Sequence, residues 1–148
     1  MGDTAAVRLL LFRVGNLLCA AEVDAIAEIL PRLDATRIPG AMPFVAGLIN
    51  VRGTLVTLVT GWRALGQPEP AGEAGHTTIV LRVEGGRRVV GVTVDEVVDL
   101  VTVTPAELQD RAALPGVDPV LVRAVGRRGA QSYVVIDTAA LLAPVLAS

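Results

Sequence analysis

Three carboxylates fall within seven residues in Val94-Asp95-Glu96-Val97-Val98-Asp99-Leu100, the densest set of groups in the chain able to move a proton or hold a cation. On a regular strand Asp95 and Asp99 share a face while Glu96 points away, a layout that could serve as a general acid/base pair. The residues favour the other reading, that these are solvated or turn-capping carboxylates, because nothing nearby completes a catalytic set. The one histidine, His76, sits in a polar connector, and the two serines are Ser132, in a predicted strand, and Ser148. A hydrolytic nucleophile therefore lacks a base within reach. All 13 basic residues are arginine, so neither a phosphate-binding lysine nor a Schiff-base amine is available, and no Gly-x-Gly-x-x-Gly follows a strand. One histidine and one cysteine, Cys19, cannot build a zinc site, and no acidic run has calcium-loop spacing. The expectation is a binding protein rather than an enzyme, with no cofactor and no metal.

The most distinctive polar group is instead Arg52. It stands in Asn50-Val51-Arg52-Gly53, the bend between two apolar runs of Phe44 to Trp62. A guanidinium offers five donors in a planar fork, suited to carboxylates, amides and carbonyls. Asn50 and Gly53 are turn chemistry: Asn can hydrogen-bond its own backbone, and Gly takes a positive φ without strain. From the residues alone Arg52 is equally a partner contact or an exposed turn residue.

These groups must be carried by strands. Hydrophobic content is 52% with only 3% aromatic, so Val, Leu, Ala and Ile fill the core and the β-branched bias favours sheet. Val7–Val14 and Leu17–Ala20 flank a Gly15-Asn16 turn, a two-residue hairpin signal. In Glu22 to Leu30 the apolar spacing predicts a short helix, stopped by Pro31, with a bent strand as the alternative reading. Residues 66–76 form a Gly- and Pro-rich connector. Beyond it a second hairpin, Thr77–Val83 and Arg88–Val94, turns at Gly85-Gly86.

The pattern then repeats. An offset of 71 places Val23-Asp24 on Val94-Asp95, Ile26 on Val97 and Glu28-Ile29 on Asp99-Leu100. An offset of 76 places Arg52-Gly53 on Arg128-Gly129, which makes Arg128 a second, solvated turn arginine. Between them, Thr104-Pro105-Ala106-Glu107 has capping-box spacing with Pro at the first helical position. Halves of about 70 residues bury too little surface to be stable alone and should share a core. The expected product is one domain, 1–148, mainly β with short helices: two small barrels, approximately 14–75 and 76–148, with terminal strands exchanged between them.

A net charge of -2 without a basic, aromatic-lined patch argues against nucleic acid. The longest uncharged stretch, Ile38 to Val51, is broken by Pro and Gly and too short to span a bilayer. Asp3 and the charges at Arg8, Arg13 and Glu22 do not suit a signal peptide, and a lone Cys19 cannot form an internal disulfide. The expected location is the cytoplasm.

Taken together, Pro43-Phe44-Val45-x-Gly47-x-Ile49-Asn50-x-Arg52-Gly53, preceded by Val23-x-x-Ile26-x-Glu28-Ile29 and followed by Val92-x-Val94-Asp95-x-Val97, resembles the CheW-type coupling proteins of bacterial chemotaxis. The likeness runs from about Leu9 to Leu142 in the family's order, and its specific element is Gly-x-x-Asn-x-Arg-Gly. It implies two similar five-stranded, SH3-like barrel subdomains around a shared hydrophobic core. It also implies an adaptor joining the cytoplasmic tip of a chemoreceptor to the regulatory domain of a CheA-type histidine kinase, which has the same fold. The receptor contacts it implies are Arg52 and Glu28, with Ile26 as the apolar neighbour, while Asn50, Gly53, Gly47 and Asp95 are structural. One segment departs from the family. The usual strand ending Pro-Val-x-Asp-Leu is here Thr57-Leu58-Val59-Thr60-Gly61, which puts kinase coupling through Thr57, Thr60 and Gly61 in question. A receptor-binding competitor that recruits no kinase, and a small-molecule binding domain using the seam between halves, are the alternatives.

Overall fold

Residues 5–70, 77–110 and 116–146 are described by a computed structural model. The connector beyond Pro70, His76 included, lies outside them. The first hairpin forms where expected, β1 (Val7–Val14) and β2 (Leu17–Glu22), with Val14 paired to Leu17 across Gly15-Asn16. The helix predicted over Glu22 to Leu30 does not form. Val23–Ala25 makes one 3-10 turn, and β3 (Ile26–Pro31) follows. Helical spacing in so short a run is overridden by ladder partners: β3 pairs antiparallel with β6 (Thr77–Val83), and Ile and Leu suit a strand as well as a helix.

Next come β4 (Val45–Val51), β5 (Thr54–Val59) and a single helical turn α1 (Gly61–Ala64). The second half supplies β7 (Arg88–Val94), β8 (Glu96–Val103), the two-residue β9 (Gln109–Asp110), β10 (Val122–Arg128), β11 (Gln131–Ile136) and α2 (Thr138–Leu146). The predicted capping box is present before Leu108: the Thr104 N–H donates to Glu107 Oε1 at 2.9 Å.

Two sheets result. One runs β3-β6-β7-β5-β4; the other runs β8-β1-β2-β11-β10 with β9 appended. Each sheet takes one hairpin from each half of the sequence, joined by short parallel pairings, Leu58 and Val59 on Gly91 and Val92, and Val134 and Val135 on Cys19 and Ala20. The repeat extends to irregularities. β4 and β10 are bulged at matching places, between Val45 and Gly47 and between Val122 and Ala124. β3 and β8 are bulged just before Glu28 and Asp99.

The core has three parts. Phe12, Val14, Ile79, Leu81, Val92, Val134, Ile136 and Leu142 belong to a shared central cluster. Leu9, Leu11, Leu18 and Tyr133 fill one barrel, and Ile49, Val56 and Leu58 the other. Alternate residues of β1 therefore serve two cores, which explains its nearly unbroken apolar run. Apolar side chains line almost all of a cavity of ≈ 20 Å³ in the central cluster. That is the space of about one water, too small for a metabolite.

Candidate interaction site

The β4/β5 hairpin closes through two residues, with Val51 opposite Thr54. Arg52 and Gly53 both have positive φ, 53° and 85°, the type I′ geometry whose twist suits a hairpin. Asn50 Oδ1 accepts from the Gly53 N–H at 2.8 Å and ties the turn down. Gly bears such a φ freely. For Arg the left-handed region costs roughly 1–2 kcal/mol.

From this turn Arg52 reaches Glu28 on β3: Nη1 donates to both carboxylate oxygens, to Oε2 at 2.8 Å. Because β3 and β4 are the opposite edges of their sheet, the ion pair bridges the line where the sheet curls shut. The Arg52 side chain is 77% exposed and that of Glu28 21%. Glu28 therefore orients the guanidinium while its other N–H groups face outward. Ile26 is half-buried and packs against the central core. More open aliphatics stand nearby in sequence, neither of them among the predicted contacts: Ile29 on β3 and Leu55 on β5, 44% and 67% exposed. Period-two alternation would have found Leu55, since Val56 and Leu58 turn inward.

Gly47 is structural for a visible reason. Its φ is 148°, and a Cβ there would lie 2.2 Å from the Thr36 carbonyl oxygen, so glycine lets the preceding loop pair with Leu48 at 2.8 and 2.9 Å. Thr57 pairs with Leu48 across the hairpin. Thr60 precedes α1 without a side-chain cap, and the Gly61 N–H donates to Thr93 Oγ1 at 3.0 Å instead. A Cβ on Gly61 would stand 2.1 Å from the Thr93 carbonyl oxygen, so this packing has no room for the family's leucine.

The second half differs from expectation at two points. Its hairpin turns at Gly129-Ala130, with Arg128 paired to Gln131, so the repeat offset is 77 and Arg128 matches Val51 rather than Arg52. Arg128 is a strand residue whose Nη2 meets Asp99 Oδ2 at 3.0 Å, not a solvated turn. The acid/base geometry also fails. The bulge at Val98 breaks the alternation, so Asp99 turns to Arg128 while Asp95 accepts from the Gly15 N–H at 2.7 Å. The Leu100 N–H first, and Arg128 second, hold the Asp99 carboxyl below its usual range. Burial first, and the charge of Asp95 second, push the Cys19 thiol far up, leaving no thiolate.

Among the described residues no group of three or more His, Cys, Asp or Glu is placed to hold a metal ion, and no helix is long and apolar enough to cross a membrane. What the surface offers is an oriented arginine beside open aliphatics, which can recognise a protein.

Comparison with known proteins bears on the fold and the family. A family model described as CheW-like domain matches residues 8–145. The chain is 36% identical over 101 residues to a chemotaxis protein CheW of Rhizobium meliloti (strain 1021), covering 68% of this chain and 64% of that one. It is 28% identical over 108 residues to a chemotaxis protein CheW of Klebsiella aerogenes, again covering 64% of that protein. The match thus spans just under two thirds of these relatives' length. The scaffolding protein TtCheW of Thermoanaerobacter tengcongensis has the same fold, with a TM-score of 0.81 over 90% of both chains at 16% identity. With a family model matching nearly every strand and helix of both halves, the chain belongs to the CheW-like domain family.

Proposed function

We propose that this protein is a non-catalytic adaptor of a bacterial chemosensory complex, working in the cytoplasm at chemoreceptor arrays or clusters. It docks the cytoplasmic tip of a chemoreceptor and the regulatory domain of a CheA-type histidine kinase. Arg52 is the receptor contact, with Glu28 and Ile26 beside it. The observation that carries this reading is the exposed guanidinium of Arg52, held in one orientation by Glu28. An oriented fork meets the carboxylates, amides and carbonyls at the bend of a helical hairpin with little entropy left to lose. Membership of a family whose members are named chemotaxis proteins supports the same role.

A second reading concerns the kinase. Thr57, Thr60 and Gly61 depart from the family pattern, and Gly61 is packed so that the usual side chain cannot return. On that ground the protein is a competitor or pathway-specific adaptor, binding receptors while coupling poorly to the kinase. Calorimetric titration against the cognate kinase's regulatory domain and against a receptor signalling fragment separates the two. Saturation with both identifies a working coupler. Saturation with receptor alone identifies the competitor, and silence with both defeats either reading.

A further inference from the structure

The β4/β5 hairpin holds a contradiction that its sequence does not need. A type I′ turn prefers Asn-Gly, yet its first position carries an arginine at φ 53°. The second half shows that closing a barrel with an Arg–carboxylate pair needs no such strain, because Arg128 reaches Asp99 from the end of a strand. Something must keep the unfavourable turn residue where it is, and the structure offers one device for it. Asn50 sits opposite Leu55, at the last pair but one before the turn, and its Oδ1 takes the Gly53 N–H at 2.8 Å. That bond spans Val51 and Arg52, so it fixes the backbone on both sides of the arginine.

We propose that Asn50 is a positioning residue for Arg52: by clamping the Gly53 amide it holds Arg52 in the left-handed conformation from which the guanidinium meets Glu28 and faces outward. Asn50 then acts on the partner only through Arg52. The proposal rests on the reading of Arg52 as the receptor contact, but it also has a consequence that needs no partner. Without the clamp the turn should sample other conformers and the Arg52–Glu28 pair should open.

The test is a cycle of Asn50→Ala, Asn50→Asp, Arg52→Asn and Asn50→Ala/Arg52→Asn in the full chain. Affinity for the signalling fragment of the cognate chemoreceptor is measured by titration, and guanidinium N–H exchange at Arg52 by nitrogen-15 NMR. Asn50→Ala should weaken binding by about tenfold, the scale of one lost hydrogen bond, and speed exchange at Arg52. Asn50→Asp keeps an acceptor for Gly53 and should restore both. On the Arg52→Asn background, which has the favoured Asn-Gly turn, Asn50→Ala should change affinity no further. Wild-type exchange in Asn50→Ala would overturn the proposal whatever the binding data show. So would an equal loss of affinity on both backgrounds, since Asn50 would then touch the partner or act on general stability. If Arg52→Asn binds normally, the receptor assignment fails, and exchange at Arg52 alone decides whether Asn50 positions it.

Discussion

Each half of the molecule anchors an edge strand with an arginine on a carboxylate, and the two bridges are built differently. Glu28 and Asp99 are equivalent by the repeat, each just past a bulge in an edge strand. Their arginines are not equivalent, since Arg52 comes from a turn and Arg128 from a strand end. Side-chain exposure follows: 77% for Arg52 over a 21% exposed Glu28, against 45% for Arg128 over a 41% exposed Asp99. In the second half both partners share the surface. In the first the carboxylate is tucked in and the cation is displayed. The comparison teaches that closing the barrel does not require the strained position, so Arg52 is placed for what lies outside.

The largest effect should come from reversing the two charges separately. Arg52→Glu should cut affinity for a receptor signalling fragment by about 10- to 150-fold, the equivalent of a charge-assisted contact of about 1.5–3 kcal/mol. Arg128→Glu should leave it unchanged. Equal losses would erase the distinction between the halves.

The turns after β5 and β11 give the next contrast. Gly61→Leu forces a side chain onto the Thr93 oxygen and should cost about 3 kcal/mol in denaturant unfolding. Helix capping should follow at about 1 kcal/mol, with opposite signs in the two halves. Asp137 Oδ1 accepts from the Ala140 N–H at 3.0 Å, so Asp137→Ala destabilises. Thr60, its counterpart, makes no side-chain cap, and Thr60→Asp should stabilise by the same order.

The smallest effect is a pH dependence. Folding lowers the Asp99 pKa, so its contribution is present above the unfolded carboxylate range and is lost as pH falls through the folded value. Asp99→Asn should therefore lower stability slightly at neutral pH and flatten the acid limb below about pH 4, so that the variant and wild type converge in acid. An unchanged acid limb would mean the second bridge is a solvated contact only.

Much of the fold was legible because its determinants are local. The Gly15-Asn16 turn, the Thr77–Val94 hairpin and the capping box each depend on a few neighbouring residues. The repeat was legible too, but slipped by one residue at the β10/β11 hairpin, where Arg-Gly in both halves suggested a common register. Of the candidate site, the residue types at Arg52, Asn50 and Gly53 were apparent. The pairing of Glu28 with Arg52 and the left-handed backbone at Arg52 were not.

What the sequence determined by itself was therefore the β character, the hairpin positions, the doubled pattern and the Asn-x-Arg-Gly element, all set by side-chain period and turn chemistry. Tertiary structure alone decided that Ile26–Pro31 is a strand, because a partner strand rather than local spacing satisfies its backbone. It decided which hairpin joins which sheet, and it separated Asp95 from Asp99 by one bulged residue. It also brought Glu28 to Arg52 across 24 positions of sequence. Contacts of that kind depend on how a sheet curls, which no short stretch of residues encodes.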